Sequence, residues 1–195
     1  MLKTKKYQIM AESRKIIKKK LSSEFTKDNL CNFYSIHKQY VKSLKSIETE
    51  SNIKIRYPNF PEHISENIIK YAIQKEGDDT VIWNCKSGDL LSTVRGKLEC
   101  KCFTSNGPIS FTPSSDWDEI YFLDARNWLK DRFIVYRVIL KYSSEEWKSI
   151  SVSKTQTFRD QCKQGRRPRI TWESLYPQIS MHVQCIFNGT FNELV

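Results

Sequence analysis

Glu99 and Lys101 occupy alternate positions in the stretch Lys97 to Phe103, and Asp89 precedes them by a short apolar run. An extended chain turns successive side chains to opposite faces. Lys97, Glu99, Lys101 and Phe103 therefore share one side, and Leu98, Cys100 and Cys102 the other. The carboxylate and the ammonium then lie ~7 Å apart along one face. A hairpin centred on Val94 sets Asp89 opposite Glu99, where cross-strand Cβ atoms are ~5 Å apart. Two carboxylates that close repel unless a cation lies between them. Hard oxygen donors suit Mg2+, which can hold a phosphate and acidify a bound water. A lysine alongside can orient that water and offset charge on the phosphate. The same residues also fit a salt bridge on a solvated strand, and an Asp after a Gly fits a plain turn, so spacing alone leaves both readings open.

The elements that must position these residues follow from hydrophobic period. Lys3 to Leu21 reads as a helix with a loose apolar stripe (Ile9, Met10, Ile16, Ile17, Leu21) and a basic face at Lys15, Lys18, Lys19 and Lys20. From Asp28 to Glu48 apolar residues recur at three- and four-residue steps, with Asp28 as the expected N-cap. Pro58 and Pro61 interrupt the chain, and Glu62 to Gln74 forms the next helix, closed by Gly77-Asp78-Asp79. The period then changes. Strands are expected at Val81 to Trp83, Asp89 to Leu91, Lys97 to Phe103, Ile120 to Leu123 and Phe133 to Tyr142, with a last one at Met181 to Phe187. Short helices are expected at Ser144 to Ile150, Thr155 to Lys163 and after Thr171, and Asn188-Gly-Thr190 reads as a turn. Helices, then strands, then helices predict an α/β or α+β fold with a central mixed sheet flanked by helices. Residues 1–57 form an N-terminal helical region and 58–195 the core, together one compact domain.

The arrangement resembles the PD-(D/E)xK nucleases, in particular type II restriction endonucleases. The residues that carry the likeness are Ser87-Gly-Asp-Leu-Leu91, Gly96-Lys-Leu-Glu-Cys-Lys-Cys102, Gly107-Pro-Ile-Ser-Phe111 and Trp117-Asp-Glu-Ile-Tyr-Phe-Leu-Asp124, within a span from Glu62 to Ile170. Gly88 stands where the family pattern has proline. The resemblance implies that Asp89, Glu99 and the backbone carbonyl of Cys100 bind Mg2+, with Lys101 catalytic beside them. It also implies a carboxylate from the preceding helix, for which Glu66 is the first candidate and Glu62 the second. The implied reaction is hydrolysis of double-stranded DNA at a short specific sequence, leaving 5′-phosphate and 3′-hydroxyl ends. A palindromic site implies a homodimer. No nucleotide cofactor is expected.

Two segments are candidates for DNA contact. Gln161-Cys-Lys-Gln-Gly-Arg-Arg-Pro-Arg169 has no acidic residue, and Gly165 and Pro168 keep it from a regular helix. Gln161, Lys163, Arg166, Arg167 and Arg169 can there reach phosphates or guanine edges. The loop Ser105 to Pro113 leaves the catalytic strand directly, and Ser105, Asn106 and Ser110 offer it hydroxyl and amide groups. Trp117, Trp128 and Trp147 sit in apolar surroundings and read as core.

Composition agrees with a polyanionic partner. Lys and Arg total 32 against 22 acidic residues, a net charge of +10, over 195 residues. No apolar run approaches the ~20 residues of a membrane span. Six cysteines without a C-x-x-C pair, and three histidines, argue against a zinc cluster and fit reduced thiols in the cytoplasm. Two other readings share these features: a structure-directed repair or recombination nuclease, and a DNA-binding protein without catalysis. An RNA-binding module would need a solvent-facing aromatic strand pattern that is absent.

Overall fold

The computed structural model describes residues 25–83 and 89–195. The expected helix at Lys3 to Leu21, with its lysines, lies outside the described residues, as does Gly88. The first described helix, α1 (Lys27–Ser51), starts one residue before Asp28, because Thr26 is the cap: its Oγ1 accepts from the amide of Asn29 at 3.2 Å. Asp28 instead places its charge in the first turn, where the helix dipole favours it. Helix α2 (Glu62–Lys75) follows Pro61, whose carbonyl accepts from Ile64 and Ser65.

The strands are β1 (Ile82–Trp83), β2 (Leu90–Ser92), β3 (Gly96–Phe103), β4 (Ile109–Ser110), β5 (Glu119–Asp124), β6 (Arg132–Val138), β7 (Arg169–Ile170) and β8 (Val183–Thr190). Short helices α3 (Glu145–Ser149), α4 (Phe158–Lys163), α5 (Trp172–Ile179) and α6 (Phe191–Leu194) complete the chain. Six strands form one sheet in the order β1-β2-β3-β5-β6-β8, while β4 and β7 make a separate antiparallel ribbon. Only β3 and β5 pair in parallel within the sheet, so the fold is α/β with a mixed sheet, as its helix and strand periods lead one to expect.

Alternation along β5 shows how the core divides. Tyr121 and Leu123 join a cluster under α1 and α2 with Leu30, Tyr34, Ile64 and Ile68; Ile120 and Phe122 join a second cluster with Phe111, Trp117, Trp147 and Phe158. Both faces of the sheet are covered, which is why β5 is buried along its whole length. Trp117, Trp128 and Trp147 are all buried.

Asn188-Gly-Thr190 is not a turn. These residues pair with Ile134, Phe133 and Arg132 as the end of β8. A Cβ at Gly189 would lie 2.6 Å from the Glu193 carboxylate, so glycine is there for close approach. Conversely, β6 stops at Val138, short of Tyr142, whose amide turns to the Trp117 carbonyl at 3.1 Å.

The β2–β3 hairpin is clamped at its turn. Ser92 Oγ accepts from the amides of Val94 and Arg95, both at 3.0 Å, and donates to Asp78 Oδ2 at 2.7 Å. Asp78 also accepts from Thr80 Oγ1 at 2.6 Å and pairs with Arg95 at 3.2 Å. Gly96 has φ +79°, and a Cβ there would meet Asp118 Oδ2 at 2.2 Å; that same oxygen accepts from the Lys97 amide and ties β3 to the start of β5. Since Asp78 and Ser92 are buried, losing the carboxylate strands several donors. Asp78→Ala is expected to cost about 2–4 kcal/mol in urea unfolding, and Ser92→Ala about 1–2 kcal/mol. A smaller loss at Asp78 than at Ser92 would remove the clamp from this account.

Candidate active site

The hairpin register decides which side chains meet. Leu90 pairs with Leu98, Leu91 with Lys97 and Ser92 with Gly96. Beyond those pairs the Asp89 amide donates to the Leu98 carbonyl at 3.3 Å, and Asp89 lies close enough to feel the charges of Glu99 and Lys101. Asp89 lies just before β2 and not within it. Its Oδ2 accepts from the Cys100 amide at 2.6 Å. On β3, Lys101 Nζ donates to Glu99 Oε1 at 2.6 Å and lies 5.9 Å from the centre of the Phe111 ring. From α2, Glu66 points to the same place, and its Oε2 accepts from Trp83 Nε1 at 2.8 Å.

These residues border a cleft of about 430 Å³ between α2, β3 and the β4 strand, lined by Glu62, Glu66, Asp89, Cys100, Lys101, Thr104 and Ser110 among others. Glu99 is only 8% exposed and is withdrawn from the cleft wall, unlike the solvated strand face that Glu-x-Lys also permits.

The carboxylates are held at an electrostatic cost. Burial pushes Asp89 up to about 6, and the charge of Glu99 adds to the rise, against the pull of the Cys100 amide and Lys101. Burial likewise pushes Glu66 up to about 7; the Trp83 N–H lowers it, and the charges of Asp89 and Glu62 raise it further. The Cys100 thiol is raised well above its usual range, chiefly by burial, so it is no nucleophile.

Among the described residues no three His, Cys, Asp or Glu side chains converge as a metal cluster. The expected donors are the Asp89 and Glu99 carboxylates and the Cys100 carbonyl, and Glu66 brings a further carboxylate to the cleft. Hard oxygens, and an acid whose proton affinity is raised by burial and then by its acidic neighbour, suit a divalent cation.

The ends of the two candidate DNA-contact segments join. Strands β4 and β7 pair Ile109 with Ile170 and Ser110 with Arg169, and the Phe111 amide donates to the Pro168 carbonyl at 3.0 Å. Ser110 lines the cleft, and Arg166, Arg167 and Arg169 are exposed along the opposite arm. Ser105 and Asn106 are exposed in the loop before β4, where Ser105 accepts from the Gly107 amide and Asn106 from Arg126. Gln161 and Lys163 sit apart on α4. Gln161 donates to Gln156, and Lys163 borders a second hollow with Tyr142, Lys148 and Arg159. Sequence reasoning passed over Trp83, which caps Glu66, and Arg126, which holds Asn106; neither lies in a motif, and both act on residues distant in the chain.

An acid whose pKa is raised on folding favours the folded state only while protonated. That contribution is complete below the ordinary values of 3.8 and 4.5 and is lost as pH rises through about 6 for Asp89 and about 7 for Glu66. Without metal, Asp89→Asn and Glu66→Gln are therefore expected to be more stable than the parent at pH 8, by about 1–2 kcal/mol after allowing for solvent contact, and to lose that advantage by pH 4. Urea unfolding in a chelator at the two pH values measures this. A parent more stable than both variants at pH 8 would contradict the described electrostatics.

A family model described as Bsp6I restriction endonuclease matches residues 12–177. The type II restriction enzyme Bsp6I of Bacillus sp. (strain RFL6) is 35% identical over 116 residues, covering 58% of this chain and 62% of that relative, less than two thirds of its length. No solved structure matches. With a match across most of its length and the acidic cleft beside a basic ribbon, the chain belongs to the Bsp6I restriction endonuclease family.

Proposed function

We propose that this protein is a type II restriction endonuclease of the PD-(D/E)xK kind, cutting double-stranded DNA at a short specific sequence to leave 5′-phosphate and 3′-hydroxyl ends. The observation that carries the reading is the meeting of Asp89, Glu66 and Lys101 in one cleft whose rim is the β4–β7 ribbon. The family match and the named relative support the same activity.

Asp89, Glu99 and the Cys100 carbonyl would hold Mg2+. When bound, the cation supplies Lewis-acid polarisation of the scissile phosphate and a more acidic water. Lys101, within reach of Glu99 on the same face, orients the attacking water and donates to a phosphate oxygen. Glu66, with a proton affinity near neutrality, holds or passes a proton at its carboxylate. Arg166, Arg167 and Arg169 grip phosphates or read guanine edges, while Ser105, Asn106 and Ser110 contact the same duplex from the other arm. Gln161 and Lys163 extend the contact along the backbone.

A two-fold site calls for a homodimer. The outer face of α1 supports a contact there, since Ile36, Tyr40 and Ile47 are exposed while Leu30, Tyr34, His37 and Val41 face the core. That inward face also supports reading α1 and the core as one unit. Among the described residues no helix is long and apolar enough to cross a membrane, and five cysteines are free thiols, which supports action in the cytoplasm.

The test is incubation of the protein with long duplex DNA, with and without Mg2+, beside Lys101→Ala and Asp89→Ala. Discrete fragments are expected in Mg2+ alone, with rates on the order of 100-fold or more lower in both variants. A smear would point to a structure-directed nuclease, and intact DNA with binding retained to a non-catalytic binder.

A further inference from the structure

Arg126 sits in the turn after β5 and is held on several sides. Its Nε donates to Asp124 Oδ1 at 3.0 Å and its Nη2 to Asp124 Oδ2 at 2.6 Å. Its Nη1 donates to Asn106 Oδ1 at 2.8 Å and to Glu173 Oε1 at 2.7 Å. The guanidinium lies over the Phe103 ring, 5.3 Å from its centre. Asp124 is buried and is the register partner of Phe103, the last residue of β3. The anchor is thus fixed to the end of the strand that carries Glu99 and Lys101.

The other two partners flank the ribbon at one end, where Ile109 pairs with Ile170 and the chain enters β4 and leaves β7. Asn106 lies in the loop that enters β4, and Glu173 lies in the first turn of α5, directly after β7. The ribbon has only two pairs of residues, too few to fix its own orientation. Burial of Ile109, Phe111 and Ile170 seats it on the second core cluster, and Arg126 clamps its entry and its exit together beside the cleft. A planar fork with five donors can do this; an ammonium cannot reproduce the angles.

We propose that Arg126 is a positioning residue that sets the offset of the β4–β7 ribbon from β3 and so determines how strictly the DNA sequence is read. The second half rests on the nuclease reading above. Base edges are read through bonds that a small displacement breaks, whereas phosphate contacts tolerate it, so a loosened ribbon loses discrimination before it loses binding.

The experiment compares full-length parent, Arg126→Lys and Arg126→Ala by amide hydrogen exchange and by cleavage of the preferred site against sites altered at one base pair. Exchange over residues 105–111 and 165–172 is expected to rise at least tenfold in both variants while β5 and α2 are unchanged. The ratio of kcat/KM between preferred and altered sites is expected to fall at least tenfold, even in Arg126→Lys, which keeps the charge. Unchanged exchange in the ribbon overturns the anchoring. An equal fall in cleavage of preferred and altered sites makes Arg126 a plain phosphate contact and overturns the specificity role. A parent that leaves duplex DNA intact in Mg2+ overturns the nuclease reading and the specificity role with it, and the exchange result alone then decides the anchoring.

Discussion

A slip of one residue between β2 and β3 would carry Asp89 away from the Cys100 amide that it accepts from. The pairing of Leu90 with Leu98 forbids that slip, because both are buried in the cluster under α1 and α2 and neither can be exchanged for a polar neighbour. The turn adds a second lock through Asp78, Thr80, Ser92 and Arg95. The Asp118 carboxylate adds a third, at the Lys97 amide. Apolar burial of the hairpin thus fixes the register of β2 and β3 beside the acids.

The meeting works against folding. Asp89 and Glu66 are partly buried near further negative charge, and their raised proton affinities measure that tension. Lys101 relieves part of it by lowering both. Strained acidic sites of this type persist because the surrounding core over-determines them. Here the core is a sheet covered on both faces, with β5 buried throughout and α2 supplying Glu66 from above the same strand. The electrostatic cost originates in that burial.

Much of this frame could be read from residue order. The alternation of Lys97 to Phe103 and the Val94 centre lead to the observed hairpin register, and the three-and-four spacing of Leu30, Tyr34, His37 and Val41 marks the buried side of α1. What escaped sequence reasoning is non-local or too short to have a period. Strands β4 and β7 have two residues each, so nothing in Ile109-Ser110 or Arg169-Ile170 announces a pairing across some sixty positions. Thr26 outcompetes Asp28 as a cap through one hydroxyl bond. Gly189, a turn signal in isolation, sits in β8 because Glu193 folds back over it. The grip of Arg126 on Asn106 and Glu173 depends on tertiary placement that no local pattern encodes.

The central proposal is that Asp89, beside Glu99, is a seat for a divalent cation. Calorimetric titration of Mg2+ into the protein, in two buffers of different ionisation enthalpy, tests it most directly. The account predicts that binding releases protons near pH 6, where Asp89 is partly protonated, that the release vanishes at pH 8, and that Asp89→Asn loses the binding. Mg2+ binding of equal strength in Asp89→Asn, with no pH-dependent proton release in the parent, would contradict it.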